Sequence, residues 1–233
     1  MTRLIIVVEG QTEEAFVTHV LAPHLNSLGV YASATIVGKI AALRRGHRHR
    51  GGGHFKHWKN DLDTILKHDR NDGLRVTTLF DLYGLPDDFP GLQDHESDRD
   101  TNRRCDALQH ALGEVVNDRR FIPYLQRHEF EALVLASLDS LEGLLDDETD
   151  LQQLSVLRSS IADVPVEDIN DGPDTAPSKR LEATIPGYSK TVHGPLVTHD
   201  AGLTRLRQQC PRFDAWLTRL EALQSSGADV TDG

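Results

Sequence analysis

The feature that most constrains this chain is its start. Leu4, Ile5, Ile6, Val7 and Val8 form an unbroken apolar run that stops at Glu9 and Gly10. β-branched residues in so short a run favour a strand, and a strand with no polar alternation has to be covered on both faces. Such a strand belongs in a parallel sheet with helices on either side. Gly10 permits a sharp turn after it. Thr12 can cap a following helix, whose positive end favours Glu13 and Glu14. That helix is expected to run to about Asn26, with Phe16, Val20 and His24 on one face.

The alternation continues along the chain. Tyr31 to Val37 reads as a second strand. Residues 44–53, Arg-Arg-Gly-His-Arg-His-Arg-Gly-Gly-Gly, read as a mobile loop, because three consecutive glycines favour neither helix nor strand. A helix from about Phe55 to His68, a third strand from Arg75 to Asp81 and a Pro- and Gly-containing loop over 84–98 follow. A helix from about Asp98 to Asn117, a fourth strand from Phe121 to Gln126 and a helix from His128 to Ala136 come next. Alternating strands and helices imply parallel strands with right-handed crossovers. The expected organisation is an α/β domain over 1–140 and a mainly helical region over 141–224 packed on it. Its helices fall at 150–162 and 202–223, on either side of a loop from Asp163 to Ser178. Residues 225–233 are expected to be a disordered tail.

Composition narrows the class. The chain has 233 residues, 38% hydrophobic and 26% charged, as a soluble globular protein does. No apolar run is long enough for a membrane helix, and the opening run is too short for a secretion signal, so a cytoplasmic protein is expected. Cys105 and Cys210 have neither a disulfide framework nor zinc-ligand spacing and read as reduced structural thiols. The net charge of −11 argues against a wholly basic nucleic-acid binder. The distribution is uneven, however. No Asp or Glu occurs from Lys39 to Asn60, a window that holds Arg44, Arg45, Arg48, Arg50, Lys56 and Lys59. This segment is either a flap whose guanidinium forks grip phosphate or a solvated surface loop. Its histidines, His47, His49, His54 and His57, have no cysteine beside them to support zinc. Lys179, Arg180 and Lys190 form a smaller basic group that either holds a phosphate or pairs with acids.

Acids mark where chemistry can sit. Open α/β sheets form their sites outside the carboxyl ends of the strands. Glu9 ends the first strand and Asp81 the third, while His128, Glu129 and Glu131 follow the fourth. Glu13 lies one helical turn past Glu9. Clustered carboxylates repel one another, and Mg²⁺ or Mn²⁺ offsets that repulsion. Such a cation can activate water and stabilise a phosphoryl transition state. The plainer reading of each acid is a solvated loop residue or a helix cap. His128 is either a ligand or proton shuttle beside Glu131 or a helix-starting histidine bonded to backbone. A zinc-protease helix would need a second histidine where Ala132 stands. No Walker loop, nucleophile elbow or dinucleotide fingerprint is present, so any ATP hydrolysis falls to a partner.

The run Val8-Glu9-Gly10-Gln11-Thr12-Glu13 resembles the first motif of Toprim domains, in the form found in overcoming-lysogenization-defect nucleases. Phe80-Asp-Leu-Tyr-Gly-Leu-Pro86, Phe89-Pro-Gly91, Arg127-His-Glu-Phe-Glu-Ala-Leu133, Ile169-Asn-Asp-Gly-Pro173, Ala176-Pro-Ser-Lys-Arg180 and Cys210-Pro-x-Phe-x-x-Trp216 are similar to a bacterial Toprim-like family, domain-of-unknown-function family 4276. The resemblance covers nearly the whole chain. It implies a Toprim/Rossmann-like parallel sheet flanked by helices and a metal-dependent nuclease acting on DNA or RNA. It also implies an AAA-type ATPase partner and a place in anti-phage defence. Glu9 then matches the Toprim glutamate, a metal ligand or general acid/base, and Glu13 the second glutamate of the motif. Asp81 matches the first aspartate of the Asp-x-Asp pair. Tyr83 stands at the second position, where it supplies no carboxylate. Glu129 or Glu131 completes the site, or the site is weak or inactive. The expected set is Glu9, Asp81 and His128 for catalysis and Glu9, Glu13, Asp81, Glu129 and Glu131 for metal. Arg44, Arg45, Arg48, Arg50, Lys56, Lys59, Lys179 and Arg180 are expected to meet phosphate. The alternatives are an inactive binding or scaffold subunit, which Tyr83 motivates, and a small-molecule phosphohydrolase.

Overall fold

The computed structural model describes residues 1–38, 53–169 and 175–227. Strand β1 (Thr2–Val8) lies between β2 (Val30–Ile36) and β3 (Leu74–Asp81), parallel to both. Two short strands, β4 (Phe121–Ile122) and β5 (Leu125–Gln126), pair in parallel with successive parts of β3. The order is β2-β1-β3-β4, with β5 off the path on β3. The single fourth strand expected from sequence is thus split. Pro123 has no N–H to give the ladder. Thr78 bridges the gap: its Oγ1 accepts from Tyr124 N–H at 2.9 Å and donates to Tyr124 O at 2.7 Å.

The apolar run of β1 is covered on both faces, as its composition requires. Leu4, Ile6 and Val8 enter one core, and Ile5 and Val7 enter the other. The second core is closed by α3 (Phe55–His68) and α4 (Thr101–Val116). The first is closed by α1 (Gln11–Phe16), a π-helical turn (Val17–Leu21), α2 (Ala22–Ser27) and the C-terminal helices. Those are α5 (Glu131–Leu135), α6 (Leu138–Glu142), α7 (Glu148–Ile161), α8 (Pro177–Thr184), α9 (Lys190–Gln209) and α10 (Pro211–Glu221). The helical region therefore shares one core with the sheet. Phe16 joins them, its ring 5.3 Å from Phe130 and 6.0 Å from Phe213. Trp216 of α10 stacks on Tyr124 at 4.4 Å, and its Nε1 donates to Thr77 Oγ1 of β3 at 3.0 Å.

Several elements differ from expectation. The helix expected from His128 begins at Glu131, because His128 adopts a left-handed backbone (φ 64°). Helix α9 starts at Lys190 rather than near 202. It accommodates Pro195 and kinks at Gly202 (φ 72°), residues that read as helix breakers in isolation. Helix α8 opens inside the expected loop, with Pro177 in its first turn. Ala222–Gly227 forms a 3-10 turn, and the rest of the expected tail lies outside the described residues. So do Arg44, Arg45, Arg48 and Arg50. Both cysteines are buried free thiols. No described helix is long and apolar enough to cross a membrane.

Phe16→Ala removes the ring that ties α1 to α5 and α10, and is expected to destabilise the fold by about 3–5 kcal/mol in urea unfolding. A loss below about 1 kcal/mol would mean that the aromatic cluster does not join the sheet to the helices.

Candidate metal centre

Parallel strands bring their carboxyl ends to one edge of the sheet. Val8 pairs with Leu79, so Glu9 emerges beside Phe80 and Asp81. Glu9 Oε1 accepts the Asp81 N–H at 2.6 Å. Gly84, in the 3-10 turn Leu82–Gly84, backs the same carboxylate. A Cβ there would stand 3.0 Å from Glu9 Cδ and overlap one of its oxygens. Glu13, buried in the first turn of α1, folds back so that its Oε2 accepts Gly10 N–H at 2.9 Å. Glu131 is buried at the start of α5. Glu129 Oε1 accepts Ser178 N–H at 2.5 Å, at the start of α8. Lys190 Nζ lies 3.5 Å from Glu131 and 3.8 Å from Glu129.

Burial dominates the electrostatics of these acids. It pushes Glu9 up to about 8, against the Asp81 N–H and with help from Glu13. It pushes Glu131 up to about 7, against Lys190 and with help from Glu129 and Glu13. Asp81 is held well above the usual carboxylate range by burial first, then by Glu13, Glu9 and Glu131. Glu13 is raised by burial, with Lys190 opposing. Four carboxylates therefore form one electrostatic cluster. Asp81 Oδ1 is also buried and accepts no hydrogen bond. A buried oxygen with nothing to accept costs about 1–3 kcal/mol, and more when charged. An oxygen-only donor set with mutual repulsion and an unpartnered carboxylate oxygen fits a hard divalent cation such as Mg²⁺ or Mn²⁺. Among the described residues no three His, Cys, Asp or Glu side chains stand in a ready-made metal-binding group. Loading a cation therefore requires the carboxylates to close in.

The model of one protein family, described as Domain of unknown function (DUF4276), matches residues 8–221. The chain belongs to that family. Solved structures similar to this DUF4276 chain include the C-terminal region of the Burkholderia pseudomallei OLD protein. It is 18% identical with a TM-score of 0.43, over 97% of this chain and 98% of that one. The C-terminal region of the Xanthomonas campestris pv. campestris OLD protein, phased with mercury, is 15% identical with a TM-score of 0.40. The match covers 94% of this chain and 98% of that one. No curated protein matches the chain.

In this DUF4276 chain the expected acids fall into two groups. Glu9, Glu13, Asp81 and Glu131 act on one another, while Glu129 acts on Glu131 and fixes the start of α8. His128 pairs with Tyr83. Its Nδ1 is 2.8 Å from Tyr83 Oη, and its carbonyl accepts Tyr83 N–H at 3.0 Å. Burial and then Arg127 push it down to about 4, so the ring is neutral near pH 7. Arg127 lowers it and Asp168 opposes that shift. It therefore packs as a partner of Tyr83 rather than as the first residue of a helix. Of the expected phosphate contacts, Lys56 is exposed on α3, Lys59 pairs with Asp63 at 2.8 Å and Lys179 with Glu182 at 2.9 Å. Arg180 Nε donates to Thr175 O at 2.8 Å. Lys190, expected either to hold a phosphate or to pair with acids, reaches Glu131 and Glu129, and Gly84 was not in the expected set. Gly84 lies within the run Phe80–Pro86, in the turn after β3, and Lys190 is brought in by the start of α9.

In metal-free protein the folded carboxyls of Glu9 and Glu131 hold their protons up to about 8 and about 7, against 4.5 for an ordinary glutamate. The folded state thus binds more protons across that window, so stability falls as pH rises through it. Glu131→Gln stays neutral and is expected to melt progressively higher than wild type from about pH 4.5 to about pH 7 in EDTA, the span of the Glu131 shift. A pH-independent difference would refute the shared strain. Gly84→Ala is expected to dislodge Glu9 from the Asp81 N–H and weaken Mn²⁺ binding in calorimetry. Unchanged affinity would remove Gly84 from the site.

Proposed function

We propose that this protein is a metal-dependent phosphodiester nuclease acting on DNA or RNA. The observation that carries this reading is Asp81 Oδ1, buried and unpartnered within a cluster of four carboxylates at the carboxyl edge of a parallel sheet. Glu9 and Asp81 would hold Mg²⁺ or Mn²⁺, with Glu13 and Glu131 as further oxygen donors. A cation bound there supplies Lewis acidity and lowers the pKa of a water ligand. The protein's own part is positional. The Asp81 N–H and Gly84 keep Glu9 in place. Lys190, with its side chain 41% exposed, remains open to a phosphate at the rim. Neutral His128 orients Tyr83 beside the site. The basic segment 44–59 extends the polyanion contact beyond the acids. The sequence resemblance supports an AAA-type ATPase partner that delivers or licenses the substrate, in cytoplasmic anti-phage defence.

A second reading is an inactive Toprim-like scaffold subunit of an ATPase complex. Tyr83 favours it, because its hydroxyl is engaged with His128 where a second aspartate would bind metal. The two readings separate in one experiment. Purified protein is incubated with plasmid, single-stranded DNA and RNA in Mn²⁺, beside Glu9→Ala and Asp81→Ala. The nuclease reading expects cleavage by wild type and its loss in both variants. Identical behaviour of all three on every substrate, with the ATPase partner added, sinks it. Absent Mn²⁺ binding together with tight ATPase binding selects the scaffold.

A further inference from the structure

A cleft of about 270 Å³ opens between α4 and α10 at the β4 end of the sheet. None of the clustered carboxylates lines it. Arg212, Ala215, Trp216 and Arg219 of α10 follow one another at i, i+3, i+4 and i+7, so one face of that helix supplies all four to the cleft. Asp106 and Gln109 of α4 line the opposite wall. Tyr124, stacked on Trp216 at 4.4 Å, lines it from the sheet. Ala215 is exposed, and its small side chain leaves room between the two arginines.

The polar groups of the cleft are mostly donors. Arg219 is exposed and, among the described residues, pairs with no carboxylate. Arg212 Nη1 donates to Asp106 Oδ1 at 2.8 Å and Nη2 to Gln109 Oε1 at 3.4 Å, while its Nε is buried without a partner. Gln109 Oε1 also accepts Leu125 N–H at 3.0 Å, so its amide NH₂ is left to donate. Asp106 is the one acid of the lining, and its side chain is 67% exposed, so an anion can displace it from Arg212 at little cost. Two guanidiniums against one carboxylate make this cleft locally positive in a chain of net charge −11. Guanidinium forks match phosphate oxygens. The space exceeds what a bare phosphate fills, and the aromatic pair offers apolar surface to the group that carries it. We infer that this cleft binds a phosphate ester, with Arg219 and Arg212 on its phosphate oxygens and Tyr124 and Trp216 against its organic part. The ester is a free nucleotide or a link of a nucleic-acid strand. The site is separate from the carboxylate edge and needs no metal.

Trp216 reports on the cleft directly, because the other tryptophan, Trp58, is buried in the second core. Tryptophan emission is followed in EDTA while inorganic phosphate, adenosine monophosphate or a short single-stranded oligonucleotide is added. Wild type is expected to show a saturable change in the millimolar range or tighter, with an ester bound more tightly than inorganic phosphate. Saturation by the mononucleotide assigns the ligand to free nucleotides, and saturation by the oligonucleotide alone assigns it to a strand. Arg219→Gln is expected to weaken binding roughly tenfold, the effect of losing one charged hydrogen bond. Ala215→Leu, at an exposed helical position that suits leucine, is expected to melt as wild type does and to lose binding by filling the cleft. Arg70→Gln removes the same charge from an exposed site between α3 and β3 and is expected to bind as wild type does. An equal loss in Arg70→Gln overturns the inference, since general charge then explains the binding. Wild-type affinity in Arg219→Gln or Ala215→Leu also overturns it, as does inorganic phosphate bound as tightly as both esters or no saturable binding by wild type.

Discussion

Burial of β1 on both faces is the constraint on which the rest depends. Leu4, Ile6 and Val8 serve one core while Ile5 and Val7 serve the other. Full burial of each such side chain contributes about 1.5–3 kcal/mol. The interior of β1 is wholly apolar, so its chemistry is displaced to its end. Glu9 is the first side chain beyond the covered length, and its bond to Asp81 N–H ties the ends of β1 and β3 together. Packing on both faces fixes the ends of β1 and β3 side by side, which brings Glu9 and Asp81 together despite their repulsion.

The contrast with Glu167 shows what distinguishes the site. Glu167 is also buried, with its pKa raised by burial first. Its oxygens, however, accept Arg212 N–H at 2.9 Å and Phe213 N–H at 3.2 Å, at the start of α10. It is a satisfied helix-capping acid, and the helix N-terminus favours its charge. Asp81 has burial and three carboxylates acting on it, and one of its oxygens has no partner. Burial of an acid alone therefore does not mark chemistry. An acid left unpartnered among other acids does.

Tyr83 and His128 show how a departure from a motif is absorbed. The tyrosine cannot coordinate as a carboxylate would. It makes two hydrogen bonds to His128 instead, one through its N–H and one through its hydroxyl. The left-handed backbone of His128 delays α5 until Glu131. Glu131 then lies buried within reach of Glu13, Asp81 and Lys190.

Taken alone, the residues determined the first three strands, the parallel architecture and the place of Glu9, Glu13 and Asp81. These follow from local physics: apolar runs of strand length, a glycine turn and acids at run ends, each readable within a few neighbouring residues. The split of the fourth strand, the late start of α5, the full length of α9 and the contacts of Gly84 and Lys190 were decided only by the tertiary structure. Pro195 and Gly202 read locally as breaks, yet packing of Val197 and Leu206 into the first core holds α9 across them. Lys190 stands about 60 residues from Glu129 and Glu131, and no local pattern links positions so far apart. Their meeting depends on the start of α9 being laid beside Glu129 and Glu131, a contact that exists only once the helical region is seated on the sheet.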